Sequence, residues 1–305
     1  MLTRGCPFSC NFCINHIYNR TYRDGYHRIR SVESAIKELS RAKILFPRLK
    51  VINFWDDVFP TDISWLRQFS GEYKKYIGIP FIAYGHAGLI TAEALSLLKR
   101  AGISFMDIGL QSGSERTRLK VFGRTDRDEK IVQADDLLHN SGIRHAYDTM
   151  FSEFETETDL EKGLAFLLEL KKPFEVHKNR LIYYPFYKIT RRALRENRIQ
   201  VDQVAGMTNH FKTQLVTKKQ VLETPFIAYY YLAGKRCVPN RLIKYMYRRK
   251  WHLKYGVLLC EIAWNIGRVE TIARWLRNTY MPRLISKDGI KYAGHLRRSF
   301  KRLLC

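Results

Sequence analysis

Three of the chain's six cysteines fall within eight residues, as Cys6-Pro7-Phe8-Ser9-Cys10-Asn11-Phe12-Cys13. Thiolates are natural ligands of soft iron, and an iron–sulfur cube normally takes four of them. Three on one short loop, spaced C-x3-C-x2-C, can hold three corners of a [4Fe–4S] cube and leave its fourth iron open to a reactant. A second reading starts from the same residues. Cys10, Cys13 and His16 have the C-x2-C-x2-H spacing of a structural zinc site. Zinc sites usually pair two short knuckles, however, and Cys237, Cys260 and Cys305 are solitary. A disulfide framework fits least, because a chain of 305 residues needs no staples.

Other groups with chemical potential lie where extended segments end. Asp56-Asp57 follow the run Val51-Ile52-Asn53-Phe54-Trp55, and Gly109-Leu110-Gln111-Ser112-Gly113-Ser114-Glu115 follows Phe105-Met106-Asp107-Ile108. An acidic pair there can accept hydrogen bonds from an ammonium, or simply open a helix, since carboxylates favour the first turn. In the second run the glycines allow close backbone approach, and Gln111 and Ser112 offer neutral hydrogen bonding; a plain strand–turn–helix junction with Ser114 as N-cap is the alternative. Arg124 is a guanidinium fork suited to a carboxylate, although Arg118, Lys120 and Arg127 are close by and such charges are commonly just solvated. His16, His86, His145 and His177 are read as surface or core residues without a role.

The cysteine spacing, with Phe12 just before the last cysteine, resembles the radical S-adenosylmethionine (radical SAM) family. Thr3-Arg4-Gly5-Cys6-Pro7-Phe8 resembles in particular the branch whose members often carry a cobalamin-binding domain upstream. The resemblance implies that Cys6, Cys10 and Cys13 hold a [4Fe–4S] cluster whose free iron is chelated by S-adenosylmethionine. It further implies reductive cleavage of that sulfonium to a 5′-deoxyadenosyl radical. Asp56 and Asp57 then face the cosubstrate's amino group, Gln111 and Ser112 help seat it, Arg124 stands near its carboxylate and Phe12 packs on the adenine. Cobalamin enters only if a separate or missing domain supplies it, since five residues precede Cys6. The expected partners are a small-molecule or lipid substrate and an electron donor such as flavodoxin or ferredoxin. Two departures weaken the pattern on the substrate side. Of the family's glycine-rich turn after the fifth strand, Phe151-Ser152-Glu153-Phe154-Glu155-Thr156 keeps only Glu155-Thr156, and Phe186-Tyr187-Lys188 replaces a glycine-threonine after Pro185.

The elements that must position these groups alternate. Val32, Ala35, Ile36, Leu39 and Phe46 have helical spacing, as do Leu66, Phe69, Tyr73 and Tyr76, and Ile131, Ala134, Leu137 and Leu138. Thr91 is an expected N-cap with Gly102 closing its helix, and Thr158-x-x-Glu161 reads as a capping box. Extended runs lie at 51–55, 81–84, 105–109, 145–151 and 179–184. Such alternation means parallel βα units, in either an open doubly wound sheet or a barrel. The resemblance favours a partial parallel (β/α)6 barrel over residues 1–199, its first strand clipped or very short.

Residues 200–305 lose the alternation and read as a basic helical region, with Leu259, Ile262, Ile266, Val269, Ala273, Leu276 and Tyr280 along one face. They hold 21 Lys and Arg against 5 Asp and Glu, a net of +16, which leaves +8 of the chain's +24 for the remainder. An acidic partner is therefore expected at this tail. The plain reading of the tail is a helical subdomain packed on the barrel with a solvated basic exterior; of the two binding readings, its aromatics suit an anionic membrane surface better than RNA, as no RNA-binding string is present. The absence of a secretory leader and the clustered cysteines lead to the expectation of a cytoplasmic, peripherally membrane-associated enzyme.

Overall fold

A computed structural model describes residues 1–22, 26–201, 204 and 226–279. In chain order the elements are β1 (Thr3–Arg4), α1 (Asn15–Tyr22), β2 (Arg28–Ile29), α2 (Val32–Leu45), β3 (Ile52–Asn53), α3 (Ile63–Glu72), β4 (Phe81–Gly85) and α4 (Ala92–Ala101). They continue with β5 (Ile103–Gln111), α5 (Asp128–Ser141), β6 (Arg144–Phe151), α6 (Glu157–Leu167), β7 (Glu175–Arg180) and α7 (Lys188–Arg195). After the undescribed stretch come α8 (Ile227–Ala233), α9 (Asn240–Arg248) and α10 (Trp251–Thr279).

Five strands form one parallel sheet in the order β3-β4-β5-β6-β7. The order never reverses, so there is no switch point of the doubly wound kind and the helices stack on one face. The other face becomes the lumen of a partial barrel. Burial along β5 follows the two-residue period: Met106, Ile108 and Leu110 are buried under the helices, whereas Asp107, Gly109 and Gln111 are half-buried on the lumen side.

The expected first strand does exist, but it is not hydrogen-bonded into the sheet. Thr3–Arg4 pairs antiparallel with Arg28–Ile29 instead. Its main polar link to the barrel is a carboxylate: Asp56 Oδ1, just past β3, accepts from the backbone N–H of Leu2 at 2.7 Å and of Thr3 at 2.5 Å, and from Thr3 Oγ1 at 2.8 Å, while Leu2 packs in the barrel's core. Asp56 is only 3% exposed, so these donors have no water to turn to.

Elsewhere local chemistry sets the boundaries. Ser31, Asp62 and Thr91 cap α2, α3 and α4 by accepting a backbone N–H, and Gly102 closes α4 at φ 104°. The capping box of α6 lies two residues earlier than expected: Thr156 and Asp159 exchange the reciprocal bonds, and since the helix begins at Glu157, Thr158 is already inside it. The last strand is also displaced, to Glu175–Arg180, with Leu181–Tyr184 outside it.

The described part of the C-terminal region shares the barrel's hydrophobic core. Tyr230 donates to the Leu160 carbonyl at 3.0 Å and Asn240 to that of Leu168 at 2.7 Å. In α10 the buried face is Leu259, Cys260 and Ala263, whereas Ile262 and Val269 are 42% and 64% exposed, so the expected apolar stripe is turned outward in part. The small Cys260 and Ala263 share that buried core with Ala228 and Ala233 of α8. Tyr280 and the basic residues near the C-terminus lie outside the described residues. Among the described residues no helix is long and apolar enough to cross a membrane.

Replacing Asp56 by Ala leaves the buried N–H groups of Leu2 and Thr3 unsatisfied, Thr3 Oγ1 retaining the Val58 carbonyl, and is expected to cost about 3 kcal/mol of folding stability, against about 1 kcal/mol for Asp56→Asn, which keeps an acceptor. Urea unfolding of the two variants checks this; equal and negligible losses would show that β1 is held by other contacts.

Candidate functional site

The three cysteines lie on the loop between β1 and α1, with Cys6 and Cys10 buried and Cys13 half-buried. Gly5 starts the loop at φ 82°, and a Cβ there would stand 2.7 Å from the Tyr26 ring. The Asn19 side-chain amide donates to the carbonyls of Cys6 at 3.1 Å and Phe8 at 3.0 Å. From the other side Asn11 donates its N–H to the Phe122 carbonyl at 2.8 Å and its Nδ2 to that of Val121 at 3.0 Å. Asn15 Nδ2 reaches Cys13 Sγ at 3.4 Å. The loop is thus fixed by backbone carbonyls, which leaves its thiols available.

Burial pushes the Cys6 thiol up to about 12 and those of Cys10 and Cys13 upward as well; Arg124 pulls Cys10 the other way without reversing the shift. Thiolates here need positive charge that the surrounding side chains do not provide, and a bound metal centre supplies it. The donor set therefore fits an iron–sulfur cluster. His16 does not join the thiols: its Nδ1 contacts the Cys13 carbonyl and its ring meets Tyr187 edge-on.

The thiols open on a cavity of about 220 Å³ at the strand ends. Phe12, Asp57, Gln111 and Arg124 line it, and of the anticipated residues only Asp56 and Ser112 do not. Asp56 is committed to β1 as described. Ser112 Oγ donates to Glu155 Oε1 at 2.7 Å and accepts the Ser114 N–H at 3.1 Å, so it braces the turn. Glu155, pushed up to about 7 by burial, and Thr156, the N-cap of α6, are what remains of the expected glycine-rich turn, and both serve the backbone. Phe12 lines the cavity while packing edge-on against Phe122, 5.2 Å between centroids, so it is wall and core at once. Gln111 adopts φ 68°, a left-handed conformation costly for a side chain, next to a register shift between β5 and β6. Its Nε2 donates to Asp148 Oδ2 at 3.3 Å.

Arg124 is held before any ligand arrives: Nε donates to Asp126 Oδ2 at 2.8 Å and NH2 to the Gly109 carbonyl at 2.7 Å. Gly109 has no side chain to block it, and Gly113 serves a different contact, since a Cβ there would lie 2.4 Å from the backbone of Gly163 in α6.

Sequence reasoning passed over several wall residues. His86 lines the cavity directly after β4, and its ring stacks on Phe8 at 3.7 Å. Its position at a strand end is the signal that would have found it. Across the lumen Asp107 Oδ2 meets His177 Nδ1 at 2.8 Å, and Asn179 Nδ2 donates to Asp148 Oδ1 at 2.5 Å. Burial, reinforced by the Asp107 charge, pushes Asp148 up to about 6. These residues come from three different strands, and only the parallel register brings them together.

Comparison with known proteins gives a consistent picture. The profile of the radical SAM superfamily matches residues 1–167. An uncharacterised methyltransferase of Pyrococcus horikoshii is 26% identical over 174 residues, 56% of this chain and 36% of that protein. Among solved structures, the radical S-adenosylmethionine methyltransferase TsrM from Kitasatospora setae, with cobalamin and a [4Fe–4S] cluster bound, superposes with TM-score 0.52 at 14% identity, over 64% of this chain and 38% of that one. The cobalamin-dependent enzyme OxsB, with aqua-cobalamin and S-adenosylmethionine bound, gives 0.53 at 16% identity, over 98% and 57%. The chain thus spans little more than a third of the first two relatives and just over half of the third.

Asp148 sets a pH dependence. Its folded value of about 6 lies above the ordinary 3.8, so the folded protein keeps a proton that the unfolded chain has released between those values. Its contribution to stability is greatest below pH 4 and declines as pH rises through about 6, by up to about 3 kcal/mol. Urea unfolding from pH 4 to pH 8 should show this slope reduced in Asp148→Asn; an unchanged slope would remove Asp148 as its source.

Proposed function

Because the chain belongs to the radical SAM superfamily, we propose that Cys6, Cys10 and Cys13 anchor a [4Fe–4S] cluster and that the protein activates a C–H bond of a substrate in the barrel lumen. The observation that carries this is three thiols, two buried and one half-buried, sharing one cavity with polar side chains from the ends of a parallel sheet. When bound, the cluster supplies one electron and an open iron for S-adenosylmethionine, whose reductive cleavage yields methionine and a 5′-deoxyadenosyl radical. The chain's own residues bind and orient. Asp57 accepts from the cosubstrate's ammonium, Phe12 offers a face to the adenine, and Gln111 hydrogen-bonds its polar edge. Arg124 places positive charge near the carboxylate while Asp126 fixes its direction. Asp56 and Ser112 act through the loops they brace. The electron comes from a small reductant such as flavodoxin or ferredoxin.

The lumen beyond the cysteines carries Tyr84, Asp107 and Asp148. That lining favours a polar reacting group over an acyl chain, so a lipid substrate would enter by its headgroup. Two relatives are named methyltransferases, one of them with cobalamin bound; a cobalamin-assisted methyl transfer here requires a cobalamin-binding unit in addition to the residues described. At α9–α10, Arg249 lies over Tyr245 and Lys254 over Tyr255, with Trp251 between the two tyrosines. Cations interleaved with aromatics support peripheral contact with anionic lipid ahead of RNA.

Anaerobic reconstitution with iron and sulfide, then dithionite and S-adenosylmethionine, is expected to give a brown protein that forms 5′-deoxyadenosine, with Cys10→Ala lowering the yield at least about a hundredfold. Zinc without sulfide, or a cluster that yields no 5′-deoxyadenosine, refutes the reading.

A further inference from the structure

His86 stands out because its polar atoms are not all accounted for. Its side chain is 6% exposed. The ring lies parallel to Phe8, at 11° and 3.7 Å, in the segment between Cys6 and Cys10. Nδ1 accepts the Gly88 N–H at 3.2 Å. Asp126 Oδ1 lies farther from the same nitrogen, at 3.4 Å, while Asp126 Oδ2 pairs with Arg124 at 2.6 Å; the Gly88 N–H, which can only donate, fixes Nδ1 as the acceptor. With the Nδ1 lone pair used as an acceptor, the imidazole proton belongs on Nε2. Nε2 is buried and has no partner in the protein. A buried N–H without an acceptor costs free energy, and His86 lines the cavity that the cysteines face.

We propose that His86 is a positioning residue whose Nε2–H donates to an anionic acceptor of the bound cluster–cosubstrate assembly while its ring holds Phe8 and the cysteine loop in place. The shared chemistry is a hydrogen bond to negative charge, and two atoms can supply it: a cluster sulfide or the cosubstrate carboxylate. A donor to a sulfide raises the cluster's reduction potential, because it favours the more negative, reduced state. A donor to the carboxylate strengthens cosubstrate binding instead. The inference rests on the proposed cluster and deepens it by assigning a residue that the cysteine motif does not contain.

The test compares wild type with His86→Phe, which keeps a ring for Phe8 but has no N–H. Iron and sulfide content are measured first, then the midpoint potential by EPR-monitored titration, then S-adenosylmethionine affinity from the change it causes in the EPR signal. The expected result is a wild-type iron content with either a lower potential, which identifies the sulfide, or affinity weakened about tenfold, which identifies the carboxylate. Unchanged potential and affinity would reduce His86 to packing and overturn the proposal. Should His86→Phe load no iron, His86→Gln and His86→Leu decide: Gln carries an N–H and Leu does not. Retention of potential and affinity by Gln alone supports the proposal, and equal behaviour overturns it. Wild-type protein that binds no iron, or whose signal ignores S-adenosylmethionine, is a different outcome and strikes the cluster itself.

Discussion

The burial of three thiols on one loop is the constraint around which this site is arranged. Burial drives them toward their neutral form, and it would take the positive charge of a metal centre to turn them into thiolate ligands. The side chains around them keep the loop's shape largely through its backbone, while the Cys6 sulfur meets the backbone of Phe8 and the Cys13 sulfur that of Asn15. Asn19 takes the carbonyls of Cys6 and Phe8, Asn11 ties the loop to residues 121 and 122, and Ile189 at the start of α7 donates to the Asn11 carbonyl. The exception is the weak contact of Asn15 Nδ2 with Cys13. Polar side chains here work chiefly on backbone, which leaves the thiols free to take a metal centre.

The strands that supply the rest of the cavity were largely legible in the sequence, since apolar runs of regular spacing are governed by the same two-residue period that buries Met106, Ile108 and Leu110. Single residues were harder to read where that period ends. Asp56 and Asp57 lie past β3, and Gln111 takes a left-handed φ just before Ser112, so no strand period tells which member of each pair faces the cavity. In each pair one member lines the cavity and the other holds a turn or a strand. The C-terminal helix shows the same limit. Helical spacing marks an apolar stripe in α10 but not which edge of it meets α8, and there the small residues Cys260 and Ala263 decide. The Asp107–His177 contact depends on register between strands far apart in sequence, which no local pattern carries.

Charge is distributed against the chain's overall sign. The protein carries +24, yet the lumen carries Asp107 and Asp148, while Arg124, the cation in the wall, is tied to Asp126. A strongly basic exterior attracts anions over a distance of about a Debye length, whereas the lumen holds carboxylates that share little of that field. What the surface gathers and what the cavity accepts therefore differ in chemistry.

The contact between Gly113 and Gly163 gives the site a mechanical character. With no side chain on either residue, the motif after β5 rests on α6 backbone against backbone, and the Tyr230 hydroxyl of α8 presses on Gly163 from beyond, 2.2 Å from where a Cβ would be. Three layers of chain thus meet with no compressible padding between them. A stack of that kind has no room for even a methyl group at either glycine, so a substitution there would have to push α6 away from the turn or from α8.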